Sequence, residues 1–384
     1  MAFDFDTVID RRGSDSMKWA RYAGRDVLPM WVADMDFAAP PAVQLALQER
    51  IAHGVFGYST ESASLAQAAV DYLVRHYDWQ IDPEWLVWLP GLVSGLNITC
   101  KAVPGGVFTA TPIYPPFMTA PAHNHHALNT HALVDSTTGY GWDFEAVAKQ
   151  LASTQNKLWL LCHPHNPVGR VWRDDELREI ARLAREHDLV VCSDEIHCDL
   201  ILDPAQRHRP FATLDADAQA RSITLMAPSK TYNIPGLGTA FAVIPDPQLR
   251  ANFKQAMVGI VPHLNVLGLV ALEASLRDCD DWRLALLEYL RGNAELVTTT
   301  VNALPGLRMH AVEATYLAWI DMREFCRERN ISDPKVFLEQ AGIGISPGHD
   351  FSLPGNDSLH VRLNFGCPRA TLTQALHRLK QAMV

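Results

Sequence analysis

Between Leu158 and His197 the chain runs apolar strand, amphipathic helix, apolar strand, and that order leaves few folds open. L-W-L-L-C leads into H-P-H-N-P-V-G, where Asn166 and Pro167 stop the extended run. D-D-E-L-R-E-I-A-R-L-A-R-E-H-D, Asp174 to Asp188, spaces its apolar residues by three and four and puts acids in its first turn, where a helix dipole favours them. L-V-V-C-S-D-E-I-H then reads as a second buried strand, ending on Asp194 and His197. Two such strands joined by one helix demand a parallel pair with a right-handed crossover. The expected architecture is therefore α/β, a mostly parallel sheet sandwiched by helices.

A third strand end extends the same edge. Ser222 to Met226 is short, apolar and β-branched, and Lys230 follows it in M-A-P-S-K-T-Y-N-I-P-G-L-G, a loop punctuated by Pro228, Pro235, Gly236 and Gly238. Ligands bind at the carboxyl edge of open parallel sheets, so a lysine held there is a candidate Schiff-base nucleophile. A lone lysine is more often a solvated surface group. What favours Lys230 is convergence: Asn166, Asp194 and Lys230 fall on one edge of one sheet.

Other segments can supply parts of a site. W-L-V-W-L-P-G-L-V reads as a strand from Trp85 to Leu89, a turn at Gly91 and a helix from about Leu92, whose first N–H groups suit an anion. T-A-T-P-I-Y-P-P-F ends a strand in a rigid loop that presents Tyr114, either a packed aromatic or a platform for a ring. Leu359 to Gly366 reads as a strand with Arg362 in its middle. That arginine needs a bound carboxylate or a structural salt bridge, unless it faces outward.

The chain of 384 residues, 48% hydrophobic, can fill a large core and a smaller one. We expect an N-terminal arm over residues 1–40 that packs on the small domain, a large domain over 41–280 and a small α+β domain over 281–384. Pro41 suits a helix's first turn, Gly54 stops that helix, and the loop Phe56 to Ser59 carries an exposed Tyr58 before an amphipathic run, Ser64 to Tyr77. A further long charged helix spans Asp281 to Val301, and Thr315 to Asp321 alternates as a strand. A net charge of -10 with no basic run argues against nucleic acid as a partner. Seven cysteines without a C-x-x-C pair suit a reducing compartment. No signal-like N-terminus and no long apolar stretch are found, so the expectation is a cytoplasmic protein with no membrane partner. H-N-H-H, His123 to His126, lacks the spacing and acid of a zinc helix, and no metal is expected.

A Schiff-base lysine, a buried ionised aspartate and an asparagine around a phosphate-binding helix start are what pyridoxal 5'-phosphate requires. H-N-P-V-G, S-D-E-I-H and P-S-K-T-Y-N resemble the fold-type I pyridoxal-phosphate enzymes of the class I/II aminotransferase family. D-S-M-K-W, P-M-W-V-A-D-M-D-F, F-G-Y, T-P-I-Y-P-P-F, D-E-I-H and T-Y-L-A-W-I-D resemble more closely its MalY/PatB-type cystathionine β-lyase, or C–S lyase, subgroup, and span essentially the whole chain.

The resemblance implies that Lys230 carries the cofactor, Asp194 pairs with its ring nitrogen, Asn166 contacts the ring hydroxyl and Tyr114 stacks on the ring. It implies further that Gly91, Leu92, Val93 and Ser229 hold the phosphate, with Tyr58 reaching it from a neighbouring subunit of a homodimer. Arg362 would grip the substrate carboxylate beside Ala33, and His197 stands where many aminotransferases have tyrosine. Ala227 and Gly238 depart from the aminotransferase pattern, which often has a serine and an arginine there; Ala20 stands where the lyases usually show aspartate. The implied activity is β-elimination from cystathionine or related S-substituted cysteines. An aminotransferase passes through the same carbanion and is the alternative; a cofactor-bearing protein acting on transcription through protein contacts is a third possibility.

Overall fold

Apolar runs bounded by glycine, proline and short polar turns give seven strands that pair into one sheet. The computed structural model describes residues 3–355 and 358–383. In chain order the strands are β1 (Leu86–Leu89), β2 (Gly106–Thr111), β3 (Leu128–Ala132), β4 (Asn156–Cys162), β5 (Val190–Asp194), β6 (Ser222–Met226) and β7 (Ala240–Val243). Their order across the sheet is β1-β7-β6-β5-β4-β2-β3. All neighbours run parallel except β7, which is antiparallel to β1 and β6. The central strands β4 to β7 are largely buried on both faces, as a sheet covered twice by helices requires, while the edge strand β3 is polar and half-exposed. One buried cluster joins Leu89, Leu96, Leu160 and Leu225, and another joins Trp159, Val191, Leu177 and Ile180.

Local boundaries differ from expectation where side chains cap the backbone. Trp85 belongs to a 3-10 turn, Pro83–Trp85, because Asp82 accepts the Glu84 N–H and Pro83 opens the turn, so β1 begins at Leu86. β5 stops at Asp194 rather than running on to His197, because Asp194 Oδ1 accepts the Ile196 N–H at 3.1 Å and turns the chain. The helices α1 (Pro41–His53), α2 (Ala63–Tyr77), α3 (Leu92–Ala102), α4 (Asp174–Glu186) and α5 (Asp280–Asn302) lie at the expected places.

Beyond α5, β8 (Leu317–Asp321), β9 (Ser346–Pro347) and β10 (His360–Asn364) make an antiparallel sheet in the order β8-β10-β9. Thr315, expected within β8, has φ 75° and lies outside it. The first residues are more structured than their lack of periodicity suggests. Met17–Ala20 is one helical turn, and Leu28–Pro29 pairs in parallel with Ile343–Gly344. Phe5, Met30, Met35 and Phe37 sit in the same buried cluster as Leu290, Val297, Ile320 and Leu376. Lys18, 1% exposed, donates to Asp36 at 2.7 Å, and Arg11 bonds Asp34 and Asp36, so buried charges fix the path of residues 34–36.

Candidate active site

β4, β5 and β6 end side by side, with Cys162 opposite Asp194 and Asp194 opposite Leu225. The loops leaving these ends bring Asn166, Asp194, His197, Ser229 and Lys230 to one cavity of about 340 Å³. β1 delivers Gly91, Leu92 and Val93 to its wall, the loop after β2 delivers Tyr114, the N-terminal segment delivers Ala33, and β10 delivers Arg362. Tyr58 stays outside: it is 99% exposed and packs on His263, ring centroids 5.9 Å apart.

Lys230 is desolvated. Burial lowers its amine to about 8, against the opposing charges of Asp34 and Asp194. Its Nζ donates to the Ala33 carbonyl at 2.6 Å, an oxygen that also accepts the Tyr316 hydroxyl at 3.0 Å. Asp194 is its counterpart. Burial pushes this carboxyl up to about 7, and the neighbouring Glu195 adds to the rise while the Ile196 N–H opposes it. A buried carboxyl that wants a cationic partner and a lysine that readily sheds its proton thus share one cavity.

Arg362 is buried, and burial brings its guanidinium down to about 10. Nη1 donates to Asn166 Oδ1 at 3.0 Å and Nη2 to the Trp31 carbonyl at 3.0 Å. The guanidinium lies 4.7 Å from the Phe351 ring centroid. Among the described residues no carboxylate pairs with it, so neither a structural salt bridge nor an outward-facing side chain accounts for it. His197, 2% exposed, is brought down to about 3 by burial and is neutral. Burial raises the phenol of Tyr114, with Arg362 opposing.

The start of α3 is uncapped, an arrangement that suits an anion. Gly91 precedes it with no side-chain cap, and a Cβ placed there would meet nothing within 4 Å. The free N–H groups of the first turn face the same cavity as Ser229 and Thr239. Among the residues lining it only Lys230 and Arg362 are cations, since Gly238 stands where the aminotransferase pattern often has an arginine. The donor set suits a phosphate at the helix start, an aldehyde at Lys230, a protonated ring nitrogen at Asp194 and a carboxylate at Arg362.

Sequence reasoning missed the residues that hold the wall in place. Asn364 donates to the Val32 and Asp34 carbonyls, and Asn233 to those of Met35 and Phe37. Tyr316 and Thr239 were missed as well; a buried hydroxyl or amide in an otherwise apolar run is the only trace they leave. His123 and His126 bond locally to Asn97 and Cys100. Among the described residues no helix is long and apolar enough to cross a membrane.

Residues 25–379 match the family model of aminotransferase class I and II. The chain is 35% identical to cystathionine beta-lyase PatB of Bacillus subtilis (strain 168), over 99% of this chain and 100% of that protein. Its structure is similar to the crystal structure of OvoB, with TM-score 0.95 and 47% identity over 100% of this chain and 99% of that one. It is also similar to the PLP-bound C-S lyase from Staphylococcus hominis, with TM-score 0.93 and 31% identity over 100% and 99% of the two chains.

Proposed function

Since the chain belongs to the aminotransferase class I and II family, we propose that it binds pyridoxal 5'-phosphate and cleaves cystathionine or a related S-substituted L-cysteine to pyruvate, ammonia and a thiol. The observation that carries this reading is the pairing of a desolvated Lys230 with a buried Asp194, opposite an Arg362 that has no carboxylate of its own. The names of PatB and of the Staphylococcus hominis lyase support it.

When bound, the cofactor supplies an electron sink for the substrate's Cα carbanion. The protein's own groups do the rest. Arg362 takes the α-carboxylate through N–H groups not used by Asn166 and the Trp31 carbonyl. Asp194, ionised, would hold the proton on the ring nitrogen. Asn166 has its oxygen committed to Arg362, which leaves its amide N–H for the ring hydroxyl. Tyr114 would stack on the ring, and the first turn of α3 with Ser229 would hold the phosphate. Lys230 Nζ, able to lose its proton near neutral pH, removes the Cα proton and returns it to the departing sulfur. The Cβ–S bond breaks with its electron pair on sulfur, and the aminoacrylate left behind adds water to give pyruvate and ammonia.

The working unit in this reading is a homodimer in the cytoplasm. Tyr58 projects from a segment with exposed Val55 and Phe56, while Ile51, Val258 and Ile260 are exposed as well. An apolar surface of this kind suits a second copy, and Tyr58 would enter the partner's phosphate site. Seven free, buried cysteines suit a reducing compartment.

The test is product analysis with L-cystathionine and no keto acid. We expect pyruvate, ammonia and homocysteine in equal amounts over many turnovers. Turnover that halts after one equivalent and resumes on adding a keto acid makes the protein an aminotransferase instead.

A further inference from the structure

We propose that Glu195, buried behind the strand end that carries Asp194, is a positioning residue whose negative charge helps keep the proton on the ring nitrogen that Asp194 faces. The proposal rests on the cofactor reading above. Successive residues leaving an extended strand point to opposite sides, so Asp194 faces the cavity while Glu195 points away from it. Glu195 is 0% exposed. Its Oε1 accepts the Ser193 hydroxyl at 2.8 Å and the Phe211 N–H at 3.0 Å, and its Oε2 accepts His208 Nε2 at 2.7 Å.

All three donors are neutral. His208 is fully buried against the stacked ring of His163, centroids 4.4 Å apart, and burial lowers both imidazoles to about 3. His163 Nε2 lies 3.2 Å from the Arg209 carbonyl, and the Nδ1 atoms of both rings are buried without a partner. Neither ring therefore carries a second proton. Beyond His208 lie Tyr77 and the groove that also holds Asp199 and Arg283. Among the described residues no lysine or arginine pairs with Glu195. Burial pushes the Glu195 carboxyl up to about 7 while the Phe211 and Ser193 bonds oppose the rise, so above that value it carries a charge that its neutral donors do not cancel and its field reaches Asp194. The rise of Asp194 owes part of its size to that neighbour. A negative charge placed there favours any cation in the cavity, and a ring N–H⁺ held by Asp194 would be one.

Glu195 also ties Ser193 to Phe211, so a purely structural role must be separated from an electrostatic one. Glu195→Gln does this. The amide oxygen still accepts from Ser193 and Phe211. The amide N–H donates to His208 Nε2 once that ring moves its proton to Nδ1, which is now unpartnered. Shape is kept and charge is lost.

The experiment loads the full-length protein with pyridoxal phosphate labelled with ¹⁵N in the ring and follows the ring-nitrogen shift by solid-state NMR between about pH 6 and 10. In Glu195→Gln we expect the nitrogen to hold its proton about tenfold less tightly, the effect of removing one unit charge roughly 12 Å away at an effective dielectric near 20. Glu195→Asp, which keeps the charge, should stay within about threefold of the unmodified protein. Ser193→Ala, which removes one donor and makes Glu195 easier to protonate, should shift the profile the same way by a smaller step, and it serves if the Gln variant does not fold. Profiles that superimpose on the unmodified protein's in both charge-weakening variants overturn the proposal and leave Glu195 a structural tie. If the unmodified protein takes up no cofactor, seen as no visible absorption, the cofactor reading itself falls.

Discussion

Replacing Arg362 with methionine should damage recognition far more than stability. The folded protein holds this guanidinium at about 10, below its usual 12.5, because it is fully buried without a counter-charge. A cation whose affinity for its proton is lower in the folded state makes folding costlier wherever it is charged in both states. That cost is present at every pH below about 10 and is relieved only as pH rises from there toward 12.5. The difference corresponds to about 3 kcal/mol. Against it stand two hydrogen bonds, to Asn166 and the Trp31 carbonyl, with a net worth of about 1 kcal/mol each. Methionine fits the apolar stem's volume beside Phe351, and the two freed acceptors lie at a cavity that water can enter. The balance leaves Arg362→Met within about 1 kcal/mol of the unmodified protein, a melting shift of no more than roughly 2–4 °C. Substrate binding should fare differently. Loss of a charge-assisted carboxylate contact of about 3 kcal/mol raises KM roughly 100-fold. The assay pairs thermal unfolding with the affinities of an S-substituted cysteine analogue and of the matching amine without the carboxylate. The variant should lose its preference for the acid over the amine. A fall in melting temperature above roughly 10 °C with that preference intact would refute the reasoning and make Arg362 a fold residue.

Two further outcomes test the other halves of the site. In the empty protein the rate of pyridoxal-phosphate uptake should rise with pH around a midpoint near 8, because burial lowers the Lys230 amine to that value and only the neutral amine attacks the aldehyde. For the same reason the empty chain should gain stability between about 8 and 10.5, where the folded state has shed a proton that the unfolded state keeps. A stopped-flow midpoint near 10.5 contradicts this. Mixing Lys230→Ala with Tyr58→Phe under demonstrated subunit exchange should restore activity in hybrids that retain one intact site; strict additivity of the two parents argues that each subunit builds its site alone.

The strand positions were legible because three separate apolar runs each lead into polar residues, two of them beside prolines, and parallel topology does the remaining alignment. That alignment alone brings Asn166, Asp194 and Lys230 together as candidates for shared chemistry. β7 left no such signal, since Ala240–Val243 is short and its reversed direction is set by the 3-10 turn Pro235–Leu237 and by Gly238 at φ 57°, features of backbone rather than of pattern. The surroundings of Arg362 were hidden too: its partner Asn166 is remote in sequence, and local reasoning left a bound carboxylate, a structural salt bridge and an outward-facing side chain open. The end of β5 turned on a single hydrogen bond from the Ile196 N–H to Asp194. A periodicity reading carries no information at that scale.

The pairing of Leu28–Pro29 with Ile343–Gly344 sets a schedule for biosynthesis. About 315 residues separate the two partners, which at roughly 5–20 residues per second is a wait of about 15–60 s before the second emerges. During most of that interval Phe5, Met30, Met35 and Phe37 lack the side chains that α5 and the later strands add to their cluster, although Val43, Leu200, Tyr232 and Ala271 of the same cluster come earlier. The segment that is completed this late also carries the Ala33 carbonyl that holds Lys230.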